Sequence, residues 1–281
     1  MSDHAKFRDR PTVIRNKASG FTLTEAIMVI VITGILAGMV AVFIRAPVQG
    51  FFDTARRAAL VDIADTALRR ISRDLREALP NSVRVSGTGL EFLHVRSAGR
   101  YREQVIPTGG AGAPGDILDF NSVDTTFDVL GPTVNVQSGD SVVIYNLGIP
   151  GTASAYDTSP LTTRRVAVAP FGASLSNVAV SSAAALPFSS PARRFQVIDT
   201  PVSYVCSGTQ MRRYSGYAIT APQAVPPAGT GALIADKIAS CSFVYAAGPT
   251  QRDALITLGL NLTDGGETVS LIYQVHVSNV P

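Results

Sequence analysis

Residues 20–44 read GFTLTEAIMVIVITGILAGMVAVFI. No residue from Ala26 to Ile44 is charged. A helix over Phe21–Ile44, rising 1.5 Å per residue, would reach ~36 Å, a little more than the hydrocarbon thickness of a bilayer. One acid, Glu25, stands near its start. A charge at the bilayer centre costs ~2.5–3.5 kcal/mol even on lenient insertion scales. Position alone leaves two readings of Glu25 open. It can lie at the membrane surface, complementing the dipole of the helix N-terminus, or it can meet a cation from a neighbouring chain inside the apolar layer.

Upstream, residues 1–20 carry Lys6, Arg8, Arg10, Arg15 and Lys17 against Asp3 and Asp9, a net of +3. The whole 281-residue chain has the same formal charge of +3, so everything after Gly20 sums to zero. A neutral body is poorly suited to neutralising many phosphates, so nucleic acid is not an expected partner. The basic leader keeps the N-terminus cytoplasmic and sends the rest across the inner membrane as a single-pass protein. An ordinary secretory signal fits badly, because no small-residue cleavage site follows the apolar core. The core runs instead into Phe43-Ile44-Arg45-Ala46-Pro47. Gly34 and Gly38 are spaced to let neighbouring helices approach closely.

After Pro47, which should bend or loosen the helix, the helical period resumes in FFDTARRAALVDIADTALRRISRDLREAL. Leu60, Ile63, Ala67, Ile71, Leu75 and Leu79 form an apolar stripe. Asp53–Arg57 and Asp65–Arg69 stand in the favourable i, i+4 order. Pro80 closes the pattern. The expected rod runs from Phe21 to about Leu79, its transmembrane half over 21–46 and its amphipathic half over 47–80. The arginine pairs at 56–57, 69–70, 164–165, 193–194 and 212–213 read as solvated faces.

From Asn81 the pattern changes to strands and turns. SVRV and LEFLHV flank SGTG as a hairpin, SVVIYNLG follows Gly139-Asp140, and FQVIDTPVSYVC pairs with RRYSGYAI. CSFVYAA, ALITLGLNL and ETVSLIYQVHV read as a closing meander, with Asp264-Gly265-Gly266 turning between the last two strands. The Ser-, Ala- and Pro-rich stretch around 149–192 reads as long surface loop apart from RRVAVAP. The fold class expected is α+β: a long N-terminal helix packed on an antiparallel β-rich domain over 81–281.

The two cysteines, Cys206 and Cys241, both lie in that domain. In an oxidising compartment a disulfide is their natural pairing; two buried free thiols are the other reading. No catalytic constellation is visible, so no enzymatic activity, cofactor, metal or small-molecule substrate is expected. His4, His94 and His276 do not pair at metal-ligand spacing. The glycine-rich GGAGAPG at 109–115 lacks the Lys-Ser/Thr of a phosphate loop.

Gly20-Phe21-Thr22-Leu23-Thr24-Glu25, preceded by a basic leader and followed by an apolar helix, resembles the type IV prepilin signal. The resemblance implies cleavage after Gly20 by a cytoplasmic-side prepilin peptidase and N-methylation of Phe21. Glu25 would then meet the new Phe21 amine of a neighbouring subunit and set axial register, which tips its reading toward assembly. Two features depart from the common pattern: Thr24 stands where a larger aliphatic residue is usual, and the first proline of the span is Pro47. The stretches RAPVQGFFDTARRAALVDIADTALRRISRDLREALPNSVRV, GDSVVIYN and SLIYQVHVSNVP resemble minor pilins of the MSHA type. That resemblance implies a fimbrial subunit whose partners are the peptidase/methyltransferase, other pilins, the pilus assembly platform and the inner membrane. A minor pseudopilin of a type II secretion system shares the same leader and rod, and a surface adhesin-like binding module is the reading from a different class.

Overall fold

The computed structural model describes residues 20–105, 115–248 and 252–281. The leader up to residue 19 and most of the glycine-rich stretch at 109–115 lie outside them. The architecture is the α+β arrangement expected: a long apolar N-terminal helix and a C-terminal antiparallel β-rich domain. The chain divides into two compact units, Met1–Thr54 and Ala55–Pro281.

Helix α1 spans Leu23–Arg76. Thr22 caps it, its Oγ1 accepting the Glu25 N–H at 3.3 Å while its carbonyl accepts the Ala26 N–H at 3.1 Å. Arg73 and Arg76 lie in the last turn, where cations complement the dipole. The helix is assigned continuously through Pro47, where a bend or loosening is expected. In the first unit the helical side chains stand exposed, apart from a half-buried Asp53.

The second unit begins in the amphipathic part of α1. Leu60, Ala64, Ala67, Leu68, Ile71 and Leu75 are buried, so Ala64 and Leu68 widen the expected stripe while Ile63 is only half-buried. The helix stops at Arg76, four residues before Pro80, because the chain is captured by a strand. Ala78 bridges His94, and the Leu79 N–H donates to the Leu93 carbonyl at 2.8 Å. Leu79 therefore packs with Leu93, Val143 and Ile198 instead of continuing the helical stripe.

Fourteen strands follow among the described residues: β1 (Arg84–Ser86), β2 (Gly89–Tyr101), β3 (Thr126–Leu130), β4 (Val134–Val136), β5 (Ser141–Val143), β6 (Arg164–Val168), β7 (Gly172–Leu175), β8 (Asn177–Val180), β9 (Arg194–Ser207), β10 (Gln210–Ser215), β11 (Ala232–Ala235), β12 (Ile238–Ala247), β13 (Asp253–Asp264) and β14 (Glu267–Ser278). All pairings are antiparallel. The expected β1–β2 and β9–β10 hairpins form, as does the β12-β13-β14 meander. Asp264 pairs Glu267 across a two-residue turn. Gly265 and Gly266 both take positive φ there, as such a tight hairpin requires.

The sequence did not reveal a closure. β2 pairs β9 along most of its length, and β2–β3–β8–β6–β5–β9 also joins edge to edge. The six strands thus form a ring of pairings, filled by Tyr101, Phe127, Val142, Val178, Phe195 and Val197. The stretch at 149–192 is largely loop, as expected, but outside RRVAVAP it also contributes β7 and β8, and it buries Ala155, Val178, Val180 and Leu186. Its strands are short and its side chains small, so they gain their burial only when the ring closes. Beyond the ring, α1 packs with β2, β9–β11 and the meander around a second core that includes Leu68, Ile71, Phe92, Tyr204 and Leu258.

Candidate functional site

The processing segment opens the first unit. Gly20 and Phe21 are exposed, Phe21 at 75% of its full surface. A methyl group added at Gly20 would meet no atom within 4 Å. Nothing among the described residues requires glycine here for packing. Glu25 occupies the third helical position, in the first turn, with its amide satisfied by Thr22. Its carboxylate therefore lies at the positive end of the helix dipole.

Behind it the helix presents an uncovered apolar surface. The strongly apolar window of α1 has none of its residues buried, and it alone among the described residues is long and apolar enough to cross a membrane. Thr33 turns its hydroxyl back to the Val29 carbonyl and, at 3.2 Å, to that of Ile30, so its polarity is consumed within the helix. Gly34 and Gly38 lie one turn apart with open space over both. That leaves a shallow stripe on which a second helix can approach closely.

The second unit holds the amphipathic part of α1 by polar bonds as well as by its core. Tyr204 on β9 donates to Asp74 Oδ2 at 2.7 Å, and Arg213 Nε donates to the same oxygen at 2.8 Å. Burial pushes the Tyr204 hydroxyl well above its ordinary value, and the adjacent Asp74 charge adds to that. Nearer the start of the unit, Arg57 pairs with Glu267 on β14 at 2.7 Å. Asp65 and Arg69 do pair, at 2.7 Å. At the helix end, His94 Nδ1 lies 2.8 Å from Asp199 and its Nε2 lies 3.1 Å from Glu77. The hydrogen bond to Asp199 raises the His94 pKa, opposed by burial and helped by Glu77. Asp199 itself is held below the usual carboxylate range by His94 and Arg96 against a desolvation that works the other way.

A fully buried carboxylate, Glu91 on β2, went unnoticed in the sequence. It accepts Arg84 Nε at 2.9 Å and Nη2 at 2.5 Å, the Tyr217 hydroxyl at 3.0 Å and that of Ser203 at 3.2 Å. Arg84 also stacks over Tyr156, 3.6 Å from the ring centroid. Every charge in this cluster is paired, which marks it as a fastening of the fold.

The arginine pairs at 56–57, 69–70 and 193–194 stand exposed, as a solvated-face reading expects. On β6 and β10 that reading needs correction: Arg165 is buried and Arg213 is half-buried against Asp74. On a strand, consecutive side chains face opposite ways, so one member of each strand pair must turn inward. Cys206 on β9 and Cys241 on β12 are bonded, their Cα atoms 6.5 Å apart. The bond ties the nine-stranded sheet to the meander. His276 stands exposed on β14.

The prokaryotic N-terminal methylation motif matches residues 15–41, a stretch that contains Gly20, Phe21, Glu25, Gly34 and Gly38. No curated protein and no solved structure matches the chain. The motif implies processing by a prepilin peptidase and assembly with other pilins. Together, the motif and the uncovered apolar helix support a type IV pilin-like or pseudopilin-like subunit suited to membrane anchoring.

Proposed function

We propose that this chain is a minor subunit of an MSHA-type type IV pilus, similar to the biogenesis protein MshO, with a structural role and no catalytic one. In this reading the peptidase cuts between Gly20 and Phe21, and the new Phe21 amine is methylated. The protein waits in the inner membrane, with its N-terminus cytoplasmic and residues 81–281 periplasmic, until it joins or primes a fibre. One observation carries the proposal: a prepilin-type segment heads an apolar helix that the described residues leave uncovered. Such a surface is stable in lipid and, after extraction, against the helices of neighbouring subunits.

Glu25 supplies the register. Within a stack of helices, its carboxylate would meet the Phe21 amine of an adjoining subunit. Opposite charges in a poorly solvated core attract far more strongly than in water, and pairing relieves the burial cost each would bear alone. The stripe at Gly34 and Gly38 lets the helices come close enough for that contact. The experiment is to shear and purify fibres from cells carrying a tagged copy and to blot for this subunit. Minor amounts in the fibre fraction support the proposal. A chain missing from fibres, whose deletion abolishes protein secretion instead, would reassign it to a secretion pseudopilus.

A further inference from the structure

The outer wall of the six-stranded ring holds an unmatched positive charge beside a cavity. Two neighbours on β6 create it. Arg165 turns into the ring, on the face of Val142 and Ala167, and is 4% exposed. Its N–H groups go only to neutral acceptors: Thr162 O at 2.5 Å, Arg164 O at 3.0 Å, Ala184 O at 3.2 Å, Ala185 O at 3.1 Å and Ser182 Oγ at 3.4 Å. Its hydrogen bonds are satisfied, but its charge is not.

Arg164 turns the other way and lines a cavity of about 360 Å³ with Thr158, Ser159, Ser181 and Ser182. The one hydrogen bond of its guanidinium among the described residues runs from Nη2 to the Asp157 carbonyl at 3.4 Å. That leaves donors of a rigid, fork-shaped cation without partners in a half-buried position. Neither arginine forms an ion pair with a carboxylate among the described residues. Burial lowers the pKa of both, as expected of cations short of compensation. The carboxylate of Asp157 acts on Arg164 from a distance, while its Oδ1 accepts the Ser159 N–H at 2.8 Å.

We infer that this cavity binds a carboxylate-bearing small molecule, whose carboxylate is gripped by Arg164 and whose remainder meets the hydroxyls of Thr158, Ser159, Ser181 and Ser182. Two guanidinium charges against one Asp157 leave a single positive charge. A monoanion neutralises it, whereas a dianionic phosphate would overcompensate. A planar carboxylate also matches the fork of Arg164 in two parallel bonds. The cavity volume falls inside the ~300–1,000 Å³ of small-molecule sites, and its walls mix hydroxyls with Pro160 and Val166.

The test is calorimetric titration of the full chain, in an uncharged polyoxyethylene detergent at constant ionic strength, with acetate, glucuronate, glucose and inorganic phosphate. Acetate and glucuronate are expected to bind and glucose is not. Tighter binding of glucuronate than of acetate identifies an acidic sugar as the source of the carboxylate; equal affinity identifies a simple organic acid. Arg164→Gln, on a surface strand and with an unchanged melting temperature, should weaken binding about tenfold or more. Asp157→Asn keeps an acceptor for Ser159 while removing the opposing charge, and should tighten binding a few-fold. Phosphate binding tighter than acetate, no saturable heat with either carboxylate, or an Arg164→Gln affinity equal to wild type would each overturn the inference.

Discussion

Tyr204 and Asp74 meet at 2.7 Å, hydroxyl to carboxylate, joining strand β9 of the nine-stranded sheet to the last turn of the helix. Arg213 shares the same carboxylate oxygen. One acid thereby satisfies two partly buried donors from neighbouring strands. Asp74→Ala should destabilise the protein by about 2–3 kcal/mol, because it strands a guanidinium and a phenol together. Tyr204→Phe removes only one bond and should cost about 1 kcal/mol. Urea unfolding of residues 55–281 measures both. Equal small losses would mean that the hydrophobic stripe holds the helix without help from this bond.

His94 gives stability a pH dependence of definite sign. Its folded pKa is raised, so its contribution is complete below the ordinary imidazole value of ~6.5 and is lost as pH rises through the folded value. Asp199 works oppositely: its lowered pKa gives stability above ~3.9 that is lost as pH falls through the folded value. The cluster of His94, Asp199, Glu77 and Arg96 should therefore be strongest between about pH 4 and 6.5. Urea midpoints of wild type should drop between mildly acidic and alkaline buffer, and those of His94→Gln should drop less. Parallel profiles for the two proteins would remove His94 from the explanation.

The Cys206–Cys241 bond closes a loop between residues 35 apart in sequence. By loop-closure entropy it should contribute about 3–4 kcal/mol. The double variant Cys206→Ser/Cys241→Ser should lose that much in equilibrium unfolding while keeping its far-ultraviolet dichroism. The loosening should fall first on the meander, seen as faster amide exchange along β12. Unchanged exchange there would show that the core alone holds the two sheets together.

Local signals made much of this architecture legible before any coordinates. The apolar span, the amphipathic period from Leu60 to Leu75 and the Gly265-Gly266 turn each act over a few residues, so a short window contains them. The ring did not appear in that way. β3 pairs β8, and β5 pairs β9, across long separations, and Asn177–Val180 carries too little sequence to announce a strand. The buried Glu91 cluster and the inward turn of Arg165 are hidden for the same reason. A charged residue reads as solvated until its strand partners fix which face it takes. The processing segment is the opposite case: Gly20, Phe21 and Glu25 stand out by their order alone, and nothing among the described residues covers them.

Register through Glu25 makes its own prediction. Glu25→Ala should be processed as efficiently as wild type, because the cut lies outside the helix, yet it should enter fibres at a tenth of the wild-type level or less, about 1.4 kcal/mol in an assembly equilibrium. Glu25→Asp should retain part of that incorporation. Quantitative blotting of sheared fibres against total membrane protein gives the ratio. Full incorporation of the alanine variant would return Glu25 to the lesser role of complementing the helix dipole.

In the proposed function, a cut between Gly20 and Phe21 creates the amine on which assembly depends. The N-terminal peptide mass of the protein isolated from its native membrane tests this most directly. A chain that begins at Phe21 and carries one added methyl group is expected. A mature chain that still begins at Met1 would overturn the proposed cut.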